Sequence, residues 1–198
     1  MPSSIITEVT ATLAALEAAL TPDLLAGVEP VAQYLADVLR GGGKVLLLGN
    51  GGSAADAQHI AAELVGRYRT ARPGLAAIAL TTDTSILTAW SNDYSFDTLF
   101  SRQVETLAQP GDVVWGLSTS GNSPNVVRAF AAARAMGVAT LGLLGGNGGQ
   151  LAGLSDMAII VPLAETDRVQ TAHRLIYHAI CGYLDDAFTP PAEPATDG

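Results

Sequence analysis

Cysteine is almost missing from this chain: Cys181 is the only one in 198 residues. A lone thiol permits neither an intrachain disulfide nor a cysteine-rich zinc site. Aromatic residues are scarce at 6%. Basic side chains are also few, 10 against 19 acidic ones, for a formal charge of −9. That balance argues against the broad basic patch that a nucleic-acid-binding surface needs. It does not exclude a phosphorylated metabolite, because local backbone N–H groups hold an anion without net positive charge. No apolar run approaches the ~18 residues that would span a bilayer, and the first residues lack a basic-then-apolar signal pattern. The expectation is a cytoplasmic protein that engages neither nucleic acid nor membrane.

What the chain has in quantity is small and apolar. Hydrophobic residues make up 48% of it, alanine is abundant, and glycine occurs 21 times. This mix suits helices packed closely on a sheet better than a β-sandwich, and the length suits one domain with a substantial core.

The N-terminal region reads as two helices. Ile6, Val9, Leu13, Leu16 and Leu20 form one helical stripe, Pro22 interrupts it, and Val28, Val31, Leu35 and Leu39 resume the pattern until Gly41-Gly42-Gly43. A stripe this narrow can pack on its own domain or against a partner subunit. From Lys44 the rhythm becomes strand, loop, helix. Apolar runs at Val45–Leu48, Ala76–Leu80, Val113–Leu117, Ala139–Leu143 and Met157–Val161 alternate with helices beginning near Ser53, Thr84, Pro124 and Gly149. Fully apolar strands alternating with helices predict an α/β fold, a parallel sheet covered on both faces. A last helix is expected from about Glu165 to Phe188. The expected organisation is one domain over residues 1–188, opening with a helical hairpin, and a disordered tail over residues 189–198.

Two strand-to-helix junctions carry unusual loops. The first strand leads into Gly49-Asn50-Gly51-Gly52-Ser53, and the third into Ser118-Thr119-Ser120-Gly121-Asn122-Ser123-Pro124. In open α/β sheets ligands bind at this C-terminal edge of the strands. Glycine lets backbone approach closely, free N–H groups and the helix dipole favour an anion, and the hydroxyls of Ser118, Thr119, Ser120 and Ser123 add donors. The same residue types also make ordinary tight turns with helix caps. Neither loop has the Gly-Lys-Ser/Thr of a P-loop or the dinucleotide fingerprint. A monophosphate ester held by neutral donors fits better than a nucleotide.

These loops, together with Asp56-Ala57-Gln58-His59 through Glu63, resemble the sugar isomerase (SIS) domain family, and within it the bacterial phosphoheptose isomerases. Gly66-Arg67-Tyr68, Arg72-Pro73-Gly74, Asn92-Asp93, Phe100-Ser101-Arg102-Gln103-Val104 and Asp167-Arg168-Val169-Gln170 extend the similarity from roughly Leu20 to Asp185. The resemblance implies a flavodoxin-like α/β/α sandwich with a five-stranded parallel sheet, a homotetramer with sites between subunits, and a zinc ion. Carried onto this chain, it makes His59, Glu63, Gln170 and His178 the metal ligands and Ser53, Ser118, Thr119, Ser120 and Ser123 the phosphate contacts. It places Asn50, Gly51, Gly52, Arg67, Asn92, Asp93, Asp167 and Gln170 around the substrate. The implied activity is the aldose–ketose isomerisation of sedoheptulose 7-phosphate to D-glycero-D-manno-heptose 7-phosphate, which feeds heptose synthesis.

Such a reaction moves a proton between neighbouring carbons, so it needs a placed base and a stabilised enediolate oxygen. Glu63 is expected as the base and His178 as the complementary acid/base. His59 and Glu63, four apart, fall about 40° from each other on a helix and share a face, a spacing that also suits an exposed polar pair. On the last helix Asp167 and His178 lie within about 20° of each other, with Gln170 about 60° to their other side. Val169, Ala172, Leu175, Ile176, Ala179 and Ile180 are expected to face the core, and His173 to be surface or interface. Two other functions keep the same fold: a noncatalytic relative that binds the replication initiator, which Ser53-Ala54-Ala55 and Ala76-Ala77-Ile78-Ala79-Leu80 also resemble, and a sugar-phosphate sensor. Retention of both Glu63 and His178 favours the enzyme.

Overall fold

The computed structural model describes residues 4–190. Three helices open the chain: α1 (Ile5–Ala19), α2 (Pro22–Ala26) and α3 (Val28–Arg40). The break expected at Pro22 is there, and Pro22 starts α2 at the position where its missing N–H costs nothing. The sheet is wholly parallel: β1 (Val45–Gly49), β2 (Ala77–Ala79), β3 (Val113–Ser118), β4 (Ala139–Gly145) and β5 (Met157–Val161), in spatial order β2-β1-β3-β4-β5. Between them run α4 (Gly52–Val65), α5 (Thr84–Asp93), α6 (Leu99–Leu107), α7 (Pro124–Ala135) and α8 (Gly149–Ala152), and α9 (Thr166–Phe188) follows β5. The α6 helix has no counterpart in the sequence reading, and β2 is shorter than its apolar run.

The strands are apolar throughout because they bury both faces. Val45 and Leu47 of β1 join one core cluster, shared with α3, α4 and α9; Leu46 and Leu48 join the opposite one, shared with α6 and α7. In β3 the same alternation sends Trp115 and Leu117 one way and Val114 the other. Gly116 makes room for the Phe130 ring of α7, which a Cβ would meet at 2.5 Å.

One expectation about a helix face needs correction. On α9 the buried residues are Val169, Ala172, His173, Ile176, Tyr177, Ile180, Cys181, Leu184 and Asp185, a stripe stepping by three and one. Leu175 and Ala179 lie off that stripe and are exposed, so they do not face the core. On α1 only Leu16 and Ala19 are buried, whereas Ile6, Val9 and Leu13 stand in solvent at 78%, 54% and 62% exposure. Among the described residues nothing covers these three side chains. The expected tail falls on residues 191–198, outside the described residues, apart from Thr189 and Pro190. Thr189 closes α9 by donating its N–H and hydroxyl to the Asp185 carbonyl.

His173 is the second correction: it is fully buried, not surface. Neither ring nitrogen has a hydrogen-bond partner among the described residues. Burial lowers its pKa to about 4; the Leu144 carbonyl and the Asp56 carboxylate oppose the shift without offsetting it. A neutral buried histidine penalises the folded state wherever the unfolded chain would bind the proton, so stability falls as pH drops from about 6.5 towards 4. Between pH 7.5 and 5 this amounts to about 2 kcal/mol. His173→Leu should lose less stability over that interval by about this amount, read from urea midpoints at the two pH values. Equal losses in both proteins would show that His173 does not titrate between states.

Candidate active site

The strand order changes direction at β1: the chain steps outward to β2, then back across β1 to β3. Two neighbouring parallel strands whose connections leave in opposite directions open a crevice at their C-terminal ends. The Gly49–Ser53 and Ser118–Pro124 loops meet in that crevice. They border a cleft of about 290 Å³ lined by Asn50, Gly51, Gly52, Ser53, Leu117, Ser118, Thr119, Ser123, Thr166 and Gln170. The N-termini of α4 and α7 both point into it, so two helix dipoles favour an anion there.

Local chemistry shapes each loop. Ser118 Oγ accepts from the Gly121 amide at 3.1 Å and lies 3.1 Å from Ser123 Oγ. Ser120 Oγ accepts from the Asn122 amide at 3.2 Å. Gly121 takes a positive φ of 66°, and a Cβ there would strike the Gly148 carbonyl at 2.0 Å. A residue absent from the sequence reading ties the two loops together. Asn50 and the buried Asn125 exchange amide hydrogen bonds, 2.8 Å each way, across the crevice. Asn50 therefore spends part of its amide on the scaffold. Its partner Asn125 sits one residue past Pro124, and sequence alone does not show that its side chain turns inward to Asn50.

The second half of the site lies along α4. His59 and Glu63 share a face, and His59 Nε2 lies 3.0 Å from Glu63 Oε1. From α9, His178 completes the group: one ligand atom from each of the three falls within 4.8 Å of the others. His178 is edge-on to His59, with ring centroids 5.0 Å apart, and stacked on Tyr68 at 5.6 Å. Burial, then the neighbouring His59, lowers its pKa, with Glu63 opposing. Two imidazoles and a carboxylate are a donor set suited to zinc or a similar divalent ion. The arrangement can hold such an ion, and it can also move protons.

Of the remaining expected residues, Gln170 lies over the loop cleft, with its amide against Gly52, where a Cβ would meet it at 2.5 Å. It is two turns of α9 before His178, about 12 Å along the helix axis. Both Gln170 and His178 are half-buried within one chain. Asp167 on the first turn of α9 is exposed, as are Arg67 and Ser120. Asn92 and Asp93 are exposed at the end of α5, joined by a 2.8 Å hydrogen bond. The single chain does not bring Arg67, Asn92, Asp93 and Asp167 into the cleft.

Behind His59 stands a network that sequence reasoning missed. Tyr177 is fully buried, and its hydroxyl lies 3.0 Å from His59 Nδ1 and 3.2 Å from Asp56 Oδ1. Arg174 donates to Asp56 at 2.7 Å and to the Tyr177 hydroxyl at 3.1 Å. Burial, reinforced by Asp56, pushes the Tyr177 phenol up to about 12, so it keeps its proton.

Residues 6–145 match the SIS domain family. The phosphoheptose isomerase of Geobacter sulfurreducens is 54% identical over 172 residues, covering 87% of this chain and 91% of that protein. The phosphoheptose isomerase of Geotalea daltonii is 57% identical over 155 residues, 78% of this chain and 81% of that protein. Among solved structures, phosphoheptose isomerase from Neisseria gonorrhoeae superposes with a TM-score of 0.83 at 41% identity, over 92% of this chain and 97% of that one. The Francisella tularensis phosphoheptose isomerase gives 0.84 at 33% identity, over 92% and 96%.

Proposed function

This chain belongs to the SIS domain family, and we propose that it isomerises sedoheptulose 7-phosphate to D-glycero-D-manno-heptose 7-phosphate, supplying heptose for surface polysaccharides. The observation that carries this reading is the cluster that His59 and Glu63, on the helix that also begins the cleft, form with His178 of α9. Six residues of α4 separate Ser53 from His59, or ~9 Å of helix. A phosphate held at one end therefore presents the far end of a sugar chain to the cluster.

In the reaction the hydroxyl at C1 and the carbonyl at C2 exchange oxidation levels. Glu63 takes the proton from C1, leaving an enediolate, and returns a proton to C2. His178 carries the proton between the two oxygens. His59, Glu63, Gln170 and His178 would hold a divalent ion, with zinc the best match to the donors. When bound, it supplies Lewis-acid polarisation of the carbonyl. The loop hydroxyls and amides hold the phosphate, and the Asn50–Asn125 pair keeps the two loops in register.

The working unit in this reading is a cytoplasmic homotetramer with sites shared between subunits. The bare Ile6, Val9 and Leu13 stripe supports it, as does an apolar groove of about 470 Å³ bordered by Leu20, Leu25, Val28, Leu175 and Ala179. A shared site would also give Arg67, Asn92, Asp93 and Asp167 a substrate to meet.

The decisive assay mixes purified protein with sedoheptulose 7-phosphate and follows the aldose by NMR, with zinc and with chelator. Turnover that chelation lowers and zinc restores is the expected result. Phosphate-ester binding without turnover under any metal condition would leave a noncatalytic protein, and a monomer by sedimentation would remove the shared site.

A further inference from the structure

We propose that Tyr177 is a positioning residue that sets which nitrogen of His59 carries the proton, so that Nε2 is free for a divalent ion. The inference rests on the metal reading of the cluster. It starts from hydrogen-bond arithmetic. The phenol has one proton and two acceptors in reach, His59 Nδ1 and Asp56 Oδ1, while Arg174 Nε donates to the phenol oxygen. With a neutral imidazole, two arrangements satisfy the phenol, Asp56 and Nδ1 together. In one, Tyr177 donates to Nδ1 and Nε2–H donates to Glu63 Oε1. In the other, Tyr177 turns its O–H to Asp56, Nδ1–H donates to the phenol oxygen, and Nε2 is left as a bare lone pair. The ring holds one proton in both, and the phenol keeps its own.

Only the second arrangement can ligate a cation. Without a cation it would set the Nε2 lone pair against Glu63 Oε1 at 3.0 Å, two acceptors facing each other. The first therefore belongs to the metal-free protein and the second to the loaded one. Asp56 and Arg174 hold the phenol in place for both, and the buried carboxylate is the acceptor that lets Tyr177 release Nδ1. A partner on the far nitrogen of a metal-binding histidine fixes its tautomer and raises its basicity, and losing such a partner typically weakens binding 10–100-fold.

Tyr177→Phe removes the hydroxyl and keeps the buried ring. Zinc affinity, measured by competition with a chromophoric chelator, should fall 10–100-fold with thermal midpoint and oligomeric mass unchanged. In wild-type protein, long-range ¹⁵N–¹H NMR should find the His59 proton on Nε2 without zinc and on Nδ1 with it. Equal zinc affinity in both proteins would overturn the inference while leaving the metal reading intact. An Nδ1 without a proton in zinc-loaded wild-type protein would also overturn it, even if the phenylalanine variant failed to fold. Wild-type protein that took up no zinc would sink both.

Discussion

Glu63→Gln and His178→Ala should each lower kcat/KM by roughly two to four orders of magnitude, the usual contribution of a placed general acid or base. Glutamine matches glutamate in size but cannot take a proton from carbon. Both side chains are half-buried at the edge of the cluster and do not belong to the core, so the variants should fold with wild-type circular dichroism. Phosphate-ester binding should survive, because the loop donors in the crevice are untouched. The measurements are steady-state rates and the affinity for a non-isomerisable sugar phosphate. Wild-type-like rates in both variants would remove the proton-transfer pair, and loss of phosphate-ester binding would show that cluster and cleft are not separable.

Asp185→Ala should destabilise the fold by about 3–5 kcal/mol, the cost of leaving a buried charge without its partner. The Arg72 guanidinium is fully buried, and its Nε lies 2.7 Å from Asp185 Oδ1. The other carboxylate oxygen accepts the amides of Arg69 and Thr70 at 2.8 and 2.6 Å. Burial alone would raise the Asp185 pKa, yet these amides and Arg72 outweigh it and lower it. Its stabilising contribution is therefore complete above the ordinary carboxylate range and is lost as pH falls through the depressed value. Arg72 also donates to the carbonyls of Glu63 and Leu64, so the pair fastens the stretch after α4 to the end of α9. That stretch carries Tyr68 to its stack on His178. Urea unfolding at pH 7 measures the loss, and a deficit under 1 kcal/mol would show that solvent reaches Arg72.

The strands, the two glycine- and serine-rich loops and the His59–Glu63 pair were legible because each is local. Alternation of apolar runs with helical stripes reports parallel strands covered on both sides, and glycine with serine at a strand end reports a turn that can bind an anion. The α6 helix was missed because Leu99, Phe100 and Val104 sit among polar residues, leaving too short a stripe to register. His173 was misplaced for a related reason: a helical wheel shows which residues share a face, but not how far a neighbouring element covers it. The same limit put Leu175 and Ala179 in a core that the buried stripe of α9 does not reach.

By itself, then, the sequence determined the α/β architecture, the loop-bearing edge of the sheet and the residue types of the candidate site, since periodicity and turn chemistry act over a few residues. Only the tertiary structure decided that His178 reaches His59 and Glu63, that Asn125 clasps Asn50, and that Tyr177 and Asp56 stand behind His59. These contacts join residues 75 to 121 positions apart, for which the chain carries no local pattern. Where such groups meet depends on how helices cross the sheet, which the packing of two buried faces sets.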